Sequence, residues 1–195
     1  RLQQVAAAGV PNYFGEQRFG LGGSNLVTAV RLFDGASLRL SRHKRGLALS
    51  SARAFLFNRV LGLRVVDGSW NRLLPGEAVQ LAGSHSFFAA GEVDAELERR
   101  LREGDIHPSG PLAGRGDPPV SGECRQLESD CLAPYAVMTR GLAAAGLKQE
   151  RRALRVIARD MTWSWPVGDE LLLEFSLPAG CYATSVLREL VQAGD

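Results

Sequence analysis

The beginning of the chain holds the densest group of side chains that could bind a ligand. Residues 9–20 contain three aromatic rings, two amides, three glycines and one arginine. Glycine lets a backbone approach a ligand closely, aromatic faces stack on bases, and amide or guanidinium groups reach base edges or phosphates. The mixture predicts a pocket for a flat polar ligand; a tight turn with core aromatics is the open alternative. The candidate pocket residues are Asn12, Tyr13, Phe14, Gln17 and Arg18.

Positive charge forms two dense stretches, although the net charge is only +2. Between Arg31 and Arg59, seven Lys or Arg residues accompany a single acid, Asp34, and residues 148–159 carry five more. Local clusters of this kind can hold phosphate even when the overall charge is small, and two solvated faces are the alternative. The candidate phosphate contacts are Arg39, Arg42, Lys44, Arg45, Lys148, Arg151, Arg152, Arg155 and Arg159.

The remaining reactive side chains do not indicate a metal site, a phosphate loop or a serine hydrolase. The three cysteines form no CxxC pair, and the three histidines lack the spacing of metal ligands. The glycines of residues 20–23 are not followed by Gly-Lys-Ser/Thr, and Ser50 and Ser51 lie in no Gly-x-Ser-x-Gly elbow. We therefore expect buried free thiols and no bound metal.

Length and composition allow a substantial hydrophobic core, in one domain or in two small ones. The chain has 195 residues, of which 45% are hydrophobic. It contains no apolar run of about eighteen residues, and its beginning lacks a basic segment followed by an apolar run. These features predict no transmembrane helix and no signal peptide, and we expect a cytoplasmic protein without membrane contact.

The helices that must position the candidate residues follow from apolar spacing and capping signals. Gly9 and Pro11 end a first helix over residues 1–8. Ser50 or Ser51 can cap a long helix that runs to about Val65, because apolar residues recur there at helical spacing. The other predicted helices are Val93–Glu103, Cys124–Ala133, Pro134–Ala145 and a final helix capped by Thr184 or Ser185.

Strands and connections are predicted from alternation and from turn residues. Arg152–Asp160 alternates so that Arg155 and Arg159 share a face, which predicts a strand with one basic side. Leu171–Leu177 is predicted to be a second, more buried strand. Short strands are expected at Ala78–Leu81 and Ser86–Ala90, a polar connection at Leu38–Arg45 and a mobile loop at the Gly- and Pro-rich Pro108–Gly122.

Five segments together resemble one family. They are residues 9–20, with the sequence Gly-Val-Pro-Asn-Tyr-Phe-Gly-Glu-Gln-Arg-Phe-Gly, and residues 21–26, 49–58, 80–83 and 177–190. In sequence and in order they are similar to tRNA pseudouridine synthase D enzymes. The resemblance implies an α+β fold, in which a mixed-sheet catalytic domain is interrupted by a family-specific α/β insertion domain. Residues 1–28 and 158–195 would be catalytic-domain segments, and residues 29–157 would be the insertion.

The resemblance also implies that part of the active site lies outside this chain. The family's nucleophilic aspartate lies in a Gly-x-Lys-Asp motif upstream of the opening segment, and a Gly-Asn-x-Phe segment helps hold the uracil. This chain contains no Lys-Asp dipeptide. We therefore interpret it as the C-terminal part of such an enzyme and expect no catalytic residue in it. The isolated chain should be inactive and should need the missing N-terminal portion as a partner.

The activity implied by the resemblance is conversion of the uridine at position thirteen of tRNA to pseudouridine. The reaction needs no cofactor, and the complete protein is expected to act as a monomer. Tyr182 occupies a position where the family usually has phenylalanine in contact with the target base, so we expect it to bind substrate. Arg18 could pair with the missing aspartate or hold a phosphate. The alternative is a non-catalytic RNA-binding fragment or homologue that keeps the fold without the nucleophile.

Overall fold

The computed structural model describes residues 1–191, which form an α+β fold with antiparallel sheets. The helices are α1 (Leu2–Ala8), α2 (Ser24–Phe33), α3 (Arg42–Val66), α4 (Ala95–Arg102), α5 (Gly122–Leu132), α6 (Ala136–Ala144) and α7 (Ala183–Leu190). The strands are β1 (Val10–Pro11), β2 (Ala78–Leu81), β3 (Phe87–Ala89), β4 (Ile106–Leu112), β5 (Glu150–Ala153), β6 (Arg155–Val156), β7 (Arg159–Ser164) and β8 (Leu172–Ser176). Short 3₁₀ helices cover Glu16–Phe19, Leu21–Gly23 and Ala133–Tyr135.

Helix α3 is the central element and begins earlier than the sequence predicts. Its N-cap is Ser41, whose hydroxyl accepts a hydrogen bond from the Lys44 backbone N–H at 3.3 Å. The prediction of a polar connection over Leu38–Arg45 and of a cap at Ser50 or Ser51 is therefore wrong. The first two turns are exposed and polar, so apolar spacing does not reveal them, although basic residues are good helix formers.

The four-stranded sheet has the order β3-β2-β4-β5, and strand β4 contradicts the predicted mobile loop at Pro108–Gly122. Residues 106–108 of β4 pair with β2, whereas residues 109–112 pair with β5. Since each half is paired on one side, the missing N–H groups of Pro108 and Pro111 are tolerated. At Gly110 a Cβ would lie 2.7 Å from Leu154 Cδ2, so close packing, rather than mobility, explains this glycine.

The two ends of the chain pack together. Strands β1 and β6 are antiparallel, and Val10 faces Val156 in their register. These two valines form a core with Val5 of α1 and Val186 of α7.

The two strands predicted near the end of the chain differ from the structure. The predicted strand over Arg152–Asp160 is divided among β5, β6 and β7. Strand β8 alternates between exposed and half-buried residues instead of being buried. Residues 158–191 thus continue from the same core into the β7–β8 hairpin.

The two predicted domain boundaries lie in different structural contexts. The limit after residue 157 follows β6, where the two chain ends join. The limit after residue 28 falls within α2, which packs with α3 and α6 around Ala29 and Leu142. The division itself stays a prediction. No helix within residues 1–191 has both the length and the apolar character needed to cross a bilayer.

Candidate functional site

The opening segment is fixed between α3 and the β5–β6 region by its own polar groups. The Asn58 side chain of α3 accepts from the Phe14 N–H at 2.9 Å and donates to the Phe14 carbonyl at 3.0 Å. Asn12 is buried; its N–H donates to the Leu154 carbonyl at 2.8 Å and its Nδ2 donates to the Ala153 carbonyl at 2.9 Å. These paired bonds hold residues 12–14 rigidly against both elements.

The Phe14 ring lies at the centre of an aromatic and cationic cluster. Its centroid is 5.4 Å from that of Phe57 and 6.2 Å from that of Tyr182, in edge-on geometry. The guanidinium carbons of Arg152 and Arg18 lie 4.1 Å and 5.4 Å from the same centroid. Both distances are within the range of cation–π attraction. One ring therefore brings together the opening segment, α3, β5 and the residue before α7.

Tyr182 is half-buried, and its hydroxyl is held in place. Arg18 Nε donates to the Tyr182 hydroxyl at 3.1 Å, and Arg18 Nη1 donates to the Ser50 hydroxyl at 3.0 Å. The structure thus joins two predicted site residues that lie 164 positions apart in the chain. The predicted caps of α7 were wrong, because its N-cap is Tyr182 and Ser185 instead donates to the Tyr13 carbonyl at 3.0 Å.

Arg152 belongs to this cluster, although the sequence places it in a basic stretch. Its Nη2 donates to Asn12 Oδ1 at 2.7 Å and to the Gly180 carbonyl at 3.0 Å. Its Nε is buried and has no hydrogen-bond partner within the described residues. Burial lowers the pKa of this guanidinium, because the charged form loses hydration. Arg152 therefore holds a poorly solvated positive charge beside the Phe14 ring.

Tyr13 and Gln17 support the pocket from behind it. The Arg188 guanidinium of α7 lies 5.5 Å from the Tyr13 ring centroid, and burial raises the pKa of the Tyr13 hydroxyl. Gln17 folds over Gly15, where a Cβ would lie 2.6 Å from the Gln17 carboxamide oxygen. These contacts hold α7 and the turn at Gly15 against the opening segment.

Two of the arginines that were predicted to contact phosphate are buried and bond to other groups of the chain. Arg151 forms an ion pair with Glu128 at 2.7 Å and also donates to Ser109, with its side chain fully buried. Arg155 donates to the Leu101 and Ile106 carbonyls at 2.8 and 3.2 Å. Arg151 does not contact a phosphate while this packing holds, and we remove it from the predicted contacts. Its strand position faces the interior, where Glu128 of α5 neutralises it.

The other basic stretch is a solvent-exposed surface. Arg39, Arg42, Lys44 and Arg45 are exposed, and the first turn of α3 contains no acid. None of the four forms an ion pair within residues 1–191. Positive charge is unfavourable at a helix N-terminus, where the macrodipole is itself positive. The arrangement leaves these cations free for an external anion, and Lys148 and Arg159 are likewise exposed.

A cleft of about 470 Å³ adjoins the cluster, because Asn12 and Arg152 are among its lining residues. Cys181, Arg155 and Arg159 also line it. Its described lining residues include four arginines and one carboxylate, that of Glu103; of the arginines, Arg151 is already paired with Glu128. Burial raises the pKa of the Cys181 thiol, so this group is a neutral part of the wall. The arginines of the lining suit an anionic ligand.

Three residues that contribute to the site or the cleft could not be recognised as functional from the sequence. Asn58 lies in the family-like block of residues 49–58, but only the fold brings its amide to Phe14. Cys181 and His107 were considered only as a thiol and as a histidine without metal-ligand spacing. Long-range contacts, rather than local spacing, place all three.

Comparisons with known proteins point to one family. The family model for tRNA pseudouridine synthase D (TruD) matches residues 23–190. The chain is 54% identical to "tRNA pseudouridine synthase D" of Nitrosococcus oceani over 196 residues, which cover 100% of this chain and 55% of that protein. It is 50% identical to the Methylococcus capsulatus protein of the same name, covering 98% of this chain and 54% of that one. The chain thus spans about half the length of these curated relatives.

A solved structure gives the same fold. The crystal structure of the putative tRNA pseudouridine synthase D from Methanosarcina mazei superposes with a TM-score of 0.64 and 18% identity, over 96% of this chain and 62% of that one. It supports the α+β architecture expected from the sequence. Since the family model covers most of the chain and the curated relatives are about half identical to it, the chain belongs to the tRNA pseudouridine synthase D family.

Proposed function

We propose that this chain is the substrate-binding part of a cytoplasmic, monomeric tRNA pseudouridine synthase that converts the uridine at position thirteen. The reaction breaks the bond between uracil and ribose, turns the base and rejoins it through carbon. It needs a carboxylate near the sugar, stabilisation of charge and a pocket for an extruded base. The observation that carries the proposal is the Phe14 cluster, where an aromatic face, two arginines and a tyrosine meet; Arg152 of this cluster also lines the cleft.

In this proposal Tyr182 contacts the target base. Its ring is half-buried, and the bond from Arg18 Nε at 3.1 Å limits its rotation. A preoriented aromatic face lowers the entropy lost when a base stacks on it. The guanidinium of Arg152, which lines the cleft, supplies positive charge near the same place for a base oxygen or a phosphate.

The nucleophile comes from residues outside this chain. Within residues 1–191 no carboxylate bonds to Arg18, Arg152 or Tyr182. The two arginines donate to hydroxyl, amide and carbonyl oxygens, and Tyr182 accepts from Arg18. Two cations without a carboxylate in a partly buried pocket favour an additional acidic group there. The missing N-terminal portion of the catalytic domain is the expected source, and the isolated chain should therefore be inactive.

Phosphates of the tRNA are held at a distance from the pocket by exposed cations. Arg42 and Arg45 lie in the first turn of the helix whose later residues Ser50 and Asn58 contact the pocket. Helix α3 therefore forms a continuous support from the pocket to the basic surface. Lys148 and Arg159 add further exposed cations to the proposed contacts, and Arg39 lies just before α3.

The test is release of tritium from tRNA carrying [5-³H]uridine. We expect release by the complete protein and none above background by the 195-residue chain. Turnover by the chain alone would mean that a nucleophile lies within it. No release by the complete protein, with tRNA still bound, would favour the alternative of a non-catalytic RNA-binding homologue.

A further inference from the structure

Five of the residues that line the cleft have no role in the proposed reaction. They are Gln80 of β2, Ser84 of the turn after it, and His107, Arg155 and Arg159. Residues 80–83, which end β2 and begin the turn, are a family-like block for which the sequence suggests no chemistry. The fold places this block beside a group of cations, so its surroundings indicate what it could bind.

His107 and Arg155 supply hydrogen-bond donors to this part of the cleft. Arg155 is only 6% exposed, and its Nε and Nη2 lie 3.2 and 3.1 Å from His107 Nδ1. Because both guanidinium nitrogens are donors, Nδ1 accepts and the ring proton of the neutral histidine lies on Nε2. Burial, followed by the charges of Arg155 and Arg159, lowers the pKa of His107 to about 4. His107 therefore has a free Nε2–H at neutral pH.

Gln80 supplies an acceptor that lacks a donor. Its side chain is 7% exposed, and its Nε2 donates to the Ser84 carbonyl at 2.7 Å, which identifies the other terminal atom as the oxygen. That Oε1 is buried and has no partner within the described residues. An unpaired buried acceptor costs free energy comparable with a lost hydrogen bond. An N–H group of a ligand in the cleft would remove this cost.

Arg159 is an exposed cation at a distorted point of the β7–β8 hairpin. The strand register shifts between Arg159 and Thr162, and the next residue, Asp160, has φ of 53°. Asp160 is the only non-glycine residue with positive φ in residues 1–191. Aspartate adopts this conformation more readily than most residues, and a register shift of this kind re-aims a side chain and is frequent next to binding sites.

We propose that this part of the cleft is a second nucleotide subsite, which holds an unpaired nucleotide next to the target uridine. Arg159 and the Nε2–H of His107 contact its phosphate, and Gln80 Oε1 accepts from an N–H of its base. An inorganic anion would use the donors but leave Gln80 unpaired, so the combination favours a nucleotide. The placement next to the target uridine rests on the function proposed above.

The experiment measures binding of the dinucleotide pUpU to the 195-residue chain by NMR titration. We expect Arg159→Ala to weaken binding roughly tenfold, since it removes a charge-assisted hydrogen bond. Gln80→Leu, which removes the carboxamide without changing the charge, should weaken it roughly fivefold. The matched control is Arg140→Ala, an exposed arginine of α6 outside the cleft lining, which should stay within about twofold.

If Arg159→Ala and Arg140→Ala weaken pUpU binding equally, the loss of affinity comes from the overall charge of the protein, and the proposal is wrong. If Arg159→Ala weakens binding while Gln80→Leu is folded and binds pUpU with unchanged affinity, the site binds an anion without recognising a base, and the nucleotide proposal is wrong. Competition by inorganic phosphate would identify such an anion site. Arg159 is exposed, so its variant tests the proposal even if Gln80→Leu unfolds. Binding that depends on Gln80 and Arg159, without tritium release by the complete protein, would support the subsite and reject only the proposed reaction.

Discussion

The two basic stretches of this chain have similar compositions but opposite surroundings. The cations of residues 39–45 lie on the exposed beginning of α3, without ion pairs in the described residues. In residues 148–159, by contrast, Arg151 is buried against Glu128, Arg152 stacks on Phe14, and only Lys148 and Arg159 are exposed. An arginine in a basic run is therefore a phosphate contact, a structural ion or a pocket wall, depending on which partners the fold brings to it.

The largest expected effect separates the buried from the exposed arginines. Arg151→Ala leaves the buried Glu128 carboxylate unpaired and should lower the free energy of unfolding by about 3–5 kcal/mol. The control Arg45→Ala, on the exposed surface, should change it by at most about 0.5 kcal/mol. Urea unfolding of both variants measures the difference. Equal effects would contradict the distinction between the two stretches.

The second effect is acid destabilisation through His107, which lies against the buried stretch. The pKa of His107 is lowered from about 6.5 to about 4 in the folded chain by burial, Arg155 and Arg159, with Asp105 opposing them. Between these pH values the unfolded chain binds a proton that the folded chain does not, so stability falls as the pH falls. The loss is at most about 3 kcal/mol by pH 4.

His107→Gln should reduce this pH dependence, which is measured by urea unfolding from pH 7 to pH 4. Above about pH 6.5 the histidine is neutral in both states, so the folded-state pKa adds no pH dependence there. An unchanged pH profile in the variant would mean that other groups cause the acid sensitivity. The same measurement on Arg159→Ala sharpens the comparison, because this change removes one of the charges that lower the pKa of His107.

The third effect tests the pocket at the end of the buried stretch. In the complete protein, Tyr182→Ala should cost roughly 1–3 kcal/mol in transition-state binding, as a lost base stack does. Tyr182→Phe keeps the ring and should be close to neutral, although it removes the hydrogen bond from Arg18. The ratio of kcat/KM measures both. An alanine variant with unchanged kcat/KM would exclude Tyr182 from the base.

The smallest effect per residue tests the exposed stretch. Replacing Arg42, Lys44 and Arg45 together should flatten the slope of log affinity for tRNA against log salt, by roughly 0.7–0.9 for each phosphate that the variant no longer neutralises. The pair Lys148 and Arg159 should behave in the same way with a smaller total change. If the slope is unchanged and the variant is folded, the α3 surface is only a solvated face.

Local patterns were sufficient for part of the fold. Gly9 follows α1, as expected, with φ of 73°, and the strand at Ala78–Leu81 has its predicted bounds. The α+β class and the family were also correctly predicted from the quoted motifs. Strand β4 was missed because Gly and Pro normally mark loops, whereas here burial and one-sided pairing accommodate them.

The sequence by itself determined the family, the aromatic and polar character of the opening segment and the presence of Tyr182 in a family-like block. Only the tertiary structure decided that Arg152 and Arg18 flank Phe14, that Asn58 holds Phe14, and that Arg151 is neutralised by Glu128. The physical reason is that alternation along a strand shows which side chains share a face. It does not show which carboxylate, amide or ring will lie opposite, because that partner comes from a distant part of the chain.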